Sequence, residues 1–164
     1  MMQLGRYPDW KGVDSRASNA RRVLPRLVAE FFAMGRQVCA SEPSPSELHR
    51  LRLAGKRLRY LLELFHECYG PGLRKRLKRL RRIQRRLGAV SDCDATEQLL
   101  QSHHLADGVD GKQLLAFLQA SRDENREAFL QYWRTGFDAP GEERVWIDFL
   151  RSLADGSSTQ DSAR

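Results

Sequence analysis

Apolar residues recur at intervals of three and four along most of the chain, the spacing of an amphipathic α-helix. The alternation of apolar and polar residues that is typical of strands is scarce. The pattern predicts helices at about residues 15–40, 45–69, 73–89, 92–105, 112–134 and 141–153. Because the connecting segments are short, we expect an all-α fold in which the helices form an antiparallel, up-and-down bundle.

Helix-breaking and helix-capping residues refine these boundaries. Pro25 lies inside the first helical pattern, where its missing N–H predicts a kink or two abutting helices. Ser44, Pro45 and Glu47 have the order of a capping box with proline at the first helical position, so they predict the start of the second helix. Gly70-Pro71-Gly72 is expected to end that helix sharply.

The chain is expected to form one domain with two irregular ends. Ser91 is placed to cap the fourth helix, which would put Asp92 and Asp94 in its first turn, where the helix dipole favours negative charge. Residues 1–13 are predicted to be an irregular lead-in, and residues 14–154 the helical bundle. Residues 155–164 are small and polar, and we expect them to be disordered.

Cysteine usage and hydropathy indicate the cellular compartment. Cys39, Cys68 and Cys93 are widely spaced and form no CxxC pair, so we expect three free thiols in a reducing environment. No apolar run is long enough to cross a bilayer, and the N-terminus lacks the apolar core of a signal peptide. The sequence therefore predicts a cytoplasmic protein without membrane contact.

Positive charge is concentrated in one stretch of the chain. Residues 49–86 contain fourteen Lys or Arg and two acidic residues, a net charge of +12, whereas the whole chain has a net charge of +7. This balance indicates a polyanionic partner, for which nucleic acid, polyphosphate, anionic lipid and an acidic protein are the candidates.

One face of the second predicted helix is cationic. At 3.6 residues per turn, His49, Arg52, Lys56 and Arg59 fall on one side together with Tyr60, and the leucines fall on the opposite side. Like charges on one helix face repel each other, so the row is expected to face a negative ligand. The third helix also carries cations around an apolar stripe, and in an antiparallel hairpin some of them would form the walls of a trough.

Two segments resemble those of a known family. An H-x-x-R-x-x-x-[KR]-R-x-R pattern is matched by His49, Arg52, Lys56, Arg57 and Arg59. A pattern like L-Q-x-x-L-G-x-x-x-D-x-D is matched by Ile83-Gln84, Leu87-Gly88, Asp92 and Asp94. Over about residues 15–105 the chain is similar to the CHAD domain, the conserved-histidine α-helical domain.

The resemblance implies an all-helical domain that binds inorganic polyphosphate through its basic surface and, in bacteria, goes to polyphosphate granules. CHAD domains usually contain two related helical halves, each with a histidine motif, and the ligand lies between them. This chain has one motif, which resembles that of the second half. A homodimer, a pairing with a separate first-half chain, and a fragment without its first half are the arrangements that the resemblance leaves open.

We therefore predict non-catalytic binding of polyphosphate, with no catalytic residue, metal site or cofactor. The predicted contact residues are His49, Arg52, Lys56, Arg57, Arg59, Lys75, Arg76, Lys78, Arg79 and Arg82. Binding of nucleic acid is the first alternative, but the sequence shows no helix-turn-helix, RRM or KH pattern. A phosphohydrolase is the second alternative. It would need convergent carboxylates, and residues 49–86 offer only Glu63 and Glu67.

Overall fold

A computed structural model describes residues 15–152. Its α-helices are α1 (Arg16–Cys39), α2 (Pro45–Leu64), α3 (Pro71–Ser102), α4 (Val109–Tyr132) and α5 (Glu142–Ser152). A 3₁₀ turn at His66–Cys68 follows α2, and a π-helical turn at Trp133–Phe137 follows α4. No strand occurs in this range, so the all-α prediction is confirmed. The predicted lead-in and the predicted disordered tail lie outside the described residues.

The first four helices run up and down, each antiparallel to the one before it, whereas α5 runs in the same direction as α4, because Arg79 and Arg76 of α3 contact Glu142 and Val145 in turn. On α3 and α4, Arg122 contacts Asp94 while Asn125 contacts Arg86, so residue numbers rise along one helix as they fall along the other. α2 packs against both α1 and α3, and α5 packs back along α1. The arrangement of α1 to α4 confirms the predicted up-and-down bundle.

Aromatic side chains form the centre of the core, where α1 meets the π-helical turn and α5. Phe32 and Phe137 are stacked with ring centroids 4.9 Å apart, and Trp133 lies 5.0 Å from Phe137. All three rings are buried, as is that of Trp146. Gly35 makes this packing possible, because a Cβ at this position would lie 2.0 Å from the Trp133 ring. The core therefore depends on a close approach between α1 and the π-helical turn.

α1 continues through its proline. Of the two outcomes expected at Pro25, the pair of abutting helices is wrong, because a single helix spans Arg16–Cys39. Pro25 itself is buried, and apolar residues on both sides of it pack into the same core. A proline inside a helix costs about 3 kcal/mol or more, and the burial of Val23, Leu24 and Val28 around it offsets that cost.

α3 is longer than the sequence suggested. The prediction of two helices separated at Ser91 is wrong, because one helix runs without a break from Pro71 to Ser102. Neither Gly88 nor Ser91 is a strong helix breaker, since even glycine costs only about 1 kcal/mol in a helix interior. Asp92 and Asp94 consequently lie in the middle of α3 and not in the first turn of a separate helix.

The predicted boundaries of α2 are confirmed at its start and corrected at its end. Ser44 Oγ accepts a hydrogen bond from the backbone N–H of Glu47, and the Glu47 carboxylate accepts one from the N–H of Ser44 at 2.8 Å. α2 ends at Leu64 and not at Tyr69, because the chain tightens into the 3₁₀ turn. Gly70 then adopts a φ of 61°, a left-handed conformation that glycine permits at little cost.

The hairpin of α3 and α4 extends beyond the core. In α4 only Phe129 and Leu130 are buried, while Leu115 and Leu118 are half-buried. Phe117 is 68% exposed near the tip of the hairpin. The bundle is therefore tightly packed at the end that contains the aromatic core and open at the other end.

The three cysteines form no disulfide with one another. Cys39, Cys68 and Cys93 are free thiols, and burial raises the pKa of Cys39 to about 12. Across residues 15–152 no helix combines the length and the apolar character that a membrane span requires.

Candidate polyanion-binding surface

The cationic row on α2 points away from the core. On the inner side of α2, Leu48, Leu51 and Leu58 are buried and anchor the helix to the core. His49 is exposed, and the other three members of the row, Arg52, Lys56 and Arg59, are half-buried. Partial burial of long side chains leaves their charged ends at the surface while the stems cover apolar neighbours. The row is therefore ordered by the helix beneath it.

The register of α2 against α3 decides which cations flank this row. His49 Nδ1 lies 3.5 Å from Ser91 Oγ, and Arg52 lies beside Gly88, where a Cβ would be 4.0 Å from Arg52 Nε. At the other end of α2, Arg81 contacts Glu63. The part of α3 beside the row is therefore residues 81–91, and the predicted contact residues Lys75, Arg76, Lys78 and Arg79 lie closer to the start of α3.

Glu63 partly neutralises one end of the row. Its carboxylate accepts hydrogen bonds from Arg59 at 2.8 Å and from Arg81 at 2.9 Å. Burial acts to raise the pKa of Glu63, but the hydrogen bonds from Arg81 and Arg59 outweigh it and hold the pKa below its usual value. Arg59 also lies 4.5 Å from the centroid of the Tyr60 ring. Among residues 15–152, Arg59 is thus the cation of the row that pairs with a carboxylate.

Two predicted contact residues hold the fold together. The Arg76 guanidinium lies 3.5 Å from the centroid of the Phe149 ring and donates to the Val145 carbonyl at 3.2 Å. Burial lowers its pKa. Arg79 donates to the Gly136 carbonyl at 2.6 Å and pairs with Glu142. Both side chains therefore connect α3 to the C-terminal part of the bundle.

A groove on the other side of α3 is lined almost entirely by cations. It has a volume of about 480 Å³. Its lining consists of Lys75, Lys78, Arg79, Arg82, Arg85, Arg86 and Tyr132. Arg82 lies 4.2 Å from the centroid of the Tyr132 ring, and Arg86 donates to the Asn125 side chain at 3.4 Å. The predicted residues Lys75, Lys78 and Arg82 are therefore brought together here, separately from the row on α2.

A cleft at the start of α2 has mixed charge. The cleft has a volume of about 780 Å³. Its lining includes His49 and Arg52 together with Asp94, Glu97 and Arg122. Arg122 binds both carboxylates, at 3.4 Å for Asp94 and 2.8 Å for Glu97. Burial acts to lower the pKa of Arg122, but these charges outweigh it and raise the pKa. The acidic side of this cleft is therefore balanced within the protein.

Sequence reasoning missed part of the groove. Arg85 continues the spacing of Lys75, Lys78 and Arg82 by three and four residues, so helical periodicity could have identified it. The contribution of Tyr132 could not be identified in this way, because Tyr132 is at the end of α4, which packs against α3 from a distant part of the chain. Arg57, also predicted as a contact, is half-buried on α2.

The chain is thus an all-α bundle whose positive charge is concentrated on two adjacent helices. The model of the CHAD domain matches residues 4–101, more than half of the chain, so the chain belongs to the CHAD family. The match covers α1, α2 and nearly all of α3, whereas α4, the π-helical turn and α5 lie beyond it. Neither the curated proteins nor the solved structures include a match to this chain.

Proposed function

We propose that this CHAD-family chain binds inorganic polyphosphate without catalysing its breakdown, through cations on α2 and α3. The observation that carries the proposal is a set of basic side chains that have no carboxylate within 4.0 Å among residues 15–152. These side chains are those of Arg52, Lys56, Lys75, Lys78, Arg82 and Arg85. So many uncompensated charges destabilise a free helix pair and favour binding of a polyanion.

The row on α2 can bind successive phosphates of a linear chain. Arg52 can donate two parallel hydrogen bonds to one phosphate, while Lys56 acts as a point charge one turn further along. His49 donates from a ring nitrogen and binds phosphate best when both nitrogens are protonated. Arg59 joins this row when phosphate oxygens replace the Glu63 carboxylate as its partner.

Binding measured at several salt concentrations tests the proposal directly. Long-chain polyphosphate is titrated into the protein, and light scattering on the same samples gives the oligomeric state with and without ligand. We expect affinity to fall steeply with salt, because a polyanion releases its counterions when cationic side chains bind it. A protein that does not bind long-chain polyphosphate at low salt would contradict the proposal.

The contacts of the nearby carboxylates support binding without catalysis. Glu63 is occupied by Arg59 and Arg81, and Glu67 pairs with Arg16 at 3.2 Å. Across the described part of the chain, no group of three or more His, Cys, Asp or Glu side chains is arranged to hold a metal ion. We expect no phosphate release from polyphosphate in Mg²⁺ or Mn²⁺, and release above the rate of a protein-free sample would establish the phosphohydrolase instead.

Nucleic acid is the second candidate ligand, and its charge fits the same surface. Proteins that bind single strands usually offer aromatic rings on which bases stack. Here the ring of Tyr132 already contacts the guanidinium of Arg82, and the ring of Tyr60 contacts that of Arg59, so one face of each ring is already occupied. We expect duplex DNA and RNA to compete weakly with long-chain polyphosphate at equal phosphate concentration. Complete displacement by either nucleic acid would exclude specificity for polyphosphate.

Granule association and pairing of chains extend the same proposal. A chain that binds long polyphosphate would be retained on polyphosphate granules, and a fluorescent fusion in cells with and without polyphosphate tests this. A homodimer, or a separate first-half CHAD chain, would supply a second histidine motif. A mass of one chain in light scattering, both free and bound to polyphosphate, would argue against the homodimer.

A further inference from the structure

α3 separates two groups of cations. On one flank, its residues Gly88 and Ser91 lie beside Arg52 and His49 of the α2 row. On the other flank, the groove opens toward Tyr132 at the end of α4. An α-helix with its side chains is about 10–12 Å across, so a single phosphate group cannot contact both flanks.

The groove is organised by the π-helical turn. Tyr132 precedes this turn, and Gly136 within it lies so close to the tyrosine ring that a Cβ would be 2.9 Å from Cε2. The ring in turn contacts the guanidinium of Arg82. The carbonyls of Gly136 and Phe137 accept hydrogen bonds from Arg79 at the same place. These contacts fix two arginines before any ligand arrives, which reduces the entropy lost on binding.

Exposed cations connect the two flanks across the outer surface of α3. Arg81 reaches toward α2, where it contacts Glu63, and Arg85 lines the groove. Both side chains are exposed, as is that of Lys78 one turn earlier. A linear polyanion that passes over α3 would therefore meet positive charge along its whole path.

From this geometry we infer that the groove of Lys75, Lys78, Arg82 and Arg85 beside Tyr132 is a second phosphate-binding subsite, and that a linear polyphosphate crosses α3 to occupy it together with the α2 row. The inference rests on the proposed function. Tyr132 and Gly136 lie beyond the residues that the family model matches, so the subsite combines matched and unmatched parts of the chain. Short phosphates would fill the two subsites independently, whereas a long chain would link them.

Calorimetric titration of short and long ligands tests the two subsites. For linear tripolyphosphate we expect two binding sites per chain in the unmodified protein. One site should remain in the groove variant Lys75→Gln/Lys78→Gln/Arg82→Gln, and one in the row variant Arg52→Gln/Lys56→Gln. For long-chain polyphosphate, each variant should lose at least about tenfold in affinity, because linked subsites gain roughly 10²–10⁴-fold over separate ones.

The matched control removes three charges elsewhere. Lys112→Gln/Arg144→Gln/Arg151→Gln changes the same net charge at exposed positions on α4 and α5, and we expect less than about a threefold loss, the screened effect of remote charge. A groove variant that behaves like this control would overturn the second subsite while leaving the proposed function intact. Failure of the unmodified protein to bind long-chain polyphosphate would instead overturn the proposed function.

Tyr132 variants test how the groove is organised. Tyr132→Phe keeps the ring under Arg82, so binding of long-chain polyphosphate should be unchanged. Tyr132→Leu removes the ring, and loss of an exposed cation–π contact should weaken binding about threefold. Equal affinities for both variants and the unmodified protein would contradict the positioning role of Tyr132. Circular dichroism of each variant confirms that the helices are intact.

Discussion

The two halves of α3 form one continuous helix but differ sharply in charge. Residues 71–90 contain nine basic residues and no acidic residue, whereas residues 91–102 contain three acidic residues and no basic residue. The acidic half faces α4, where Arg122 binds Asp94 and Glu97. Within residues 15–152 the basic half has few such partners: Arg79 pairs with Glu142 and Arg81 with Glu63.

This difference separates charges that pair within the fold from charges that are available to the proposed ligand. In the acidic half, opposite charges are already matched across two helices. In the basic half, cations such as Lys75, Lys78 and Arg85 remain without a carboxylate partner among the described residues, at a cost that a polyanion would relieve. Substitutions of charged residues in and beside each half of α3 test this difference.

Reversing charge in the α2 row, which lies beside the basic half, should have the largest effect. We expect polyphosphate affinity to fall at least about a hundredfold in the variant Arg52→Glu/Lys56→Glu/Arg59→Glu. Each of the three substitutions removes a charge-assisted hydrogen bond to phosphate that contributes about 1.5–3 kcal/mol. Fluorescence titration or calorimetry measures the change. The control Lys112→Glu/Arg144→Glu/Arg151→Glu has the same net charge, and a similar loss in both variants would show that net charge alone determines binding.

Removing the ion pairs of the acidic half should lower the stability of the fold and leave polyphosphate binding unchanged. Arg122→Ala removes the partner of Asp94 and Glu97, and because these groups are only partly exposed we expect a loss of about 1 kcal/mol in the free energy of unfolding. Urea denaturation measures this loss, and Arg144→Ala, which breaks an exposed pair with Asp148, should cost less. Polyphosphate affinity should stay within about twofold, since Arg122 pairs inside the protein. A large loss of affinity would place Arg122 in the binding surface.

Removing the carboxylate that binds Arg59 and Arg81 should sharpen the contrast between the halves. Glu63→Gln leaves both guanidinium groups without a carboxylate partner and so more available to the ligand, and polyphosphate affinity should rise about threefold. Calorimetry at low salt detects this change, and Glu67→Gln, which affects a pair outside the row, serves as the control. Unchanged affinity in Glu63→Gln would show that phosphate does not reach Arg59.

The same variant has a pH-dependent effect on stability. The pKa of Glu63 is held below its usual value in the folded protein, so its contribution to stability is present above the unfolded pKa of about 4.3 and is lost as pH falls through the folded pKa. The difference in unfolding free energy between the unmodified protein and Glu63→Gln should be at most about 1 kcal/mol near pH 7. It should shrink below about pH 4, and a difference that persists in acid would require another cause.

The smallest expected effect concerns His49. His49→Ala removes one ring-nitrogen donor from the row, and a single exposed hydrogen bond contributes about 0.5–1 kcal/mol, so polyphosphate affinity should fall about twofold to fivefold at constant pH and salt. Calorimetry measures the change, and Lys112→Ala, at an exposed position on α4, serves as the control. Equal affinities for His49→Ala and the unmodified protein would show that His49 does not contact phosphate.

Features that depend on residues close together in the chain could be predicted from the sequence. The capping box of Ser44 and Glu47 marks the start of α2, and apolar spacing identifies α1 and α5 to within two residues. The row of His49, Arg52, Lys56 and Arg59 also follows from helical periodicity and appears on the outer side of α2 as expected.

Features that depend on distant residues could not be predicted. α3 continues past Ser91, in a region where its carboxylates bind Arg122 on a helix that comes later in the chain. Arg76 and Arg79 look like surface cations in the sequence, but α5 and the π-helical turn supply their partners. The groove likewise exists only because the fold brings Tyr132 beside α3.

The close approach of Gly35 to Trp133 has a spectroscopic consequence. Trp133 and Trp146 are both buried in the aromatic core, and none of the proposed polyphosphate contacts is a tryptophan. In a Trp10→Phe background, the emission of these two indoles would shift to longer wavelength only when the core opens to water. The protein therefore contains its own fluorescent reporter of unfolding, separate from the proposed binding surface, so stability and binding can be measured on the same sample.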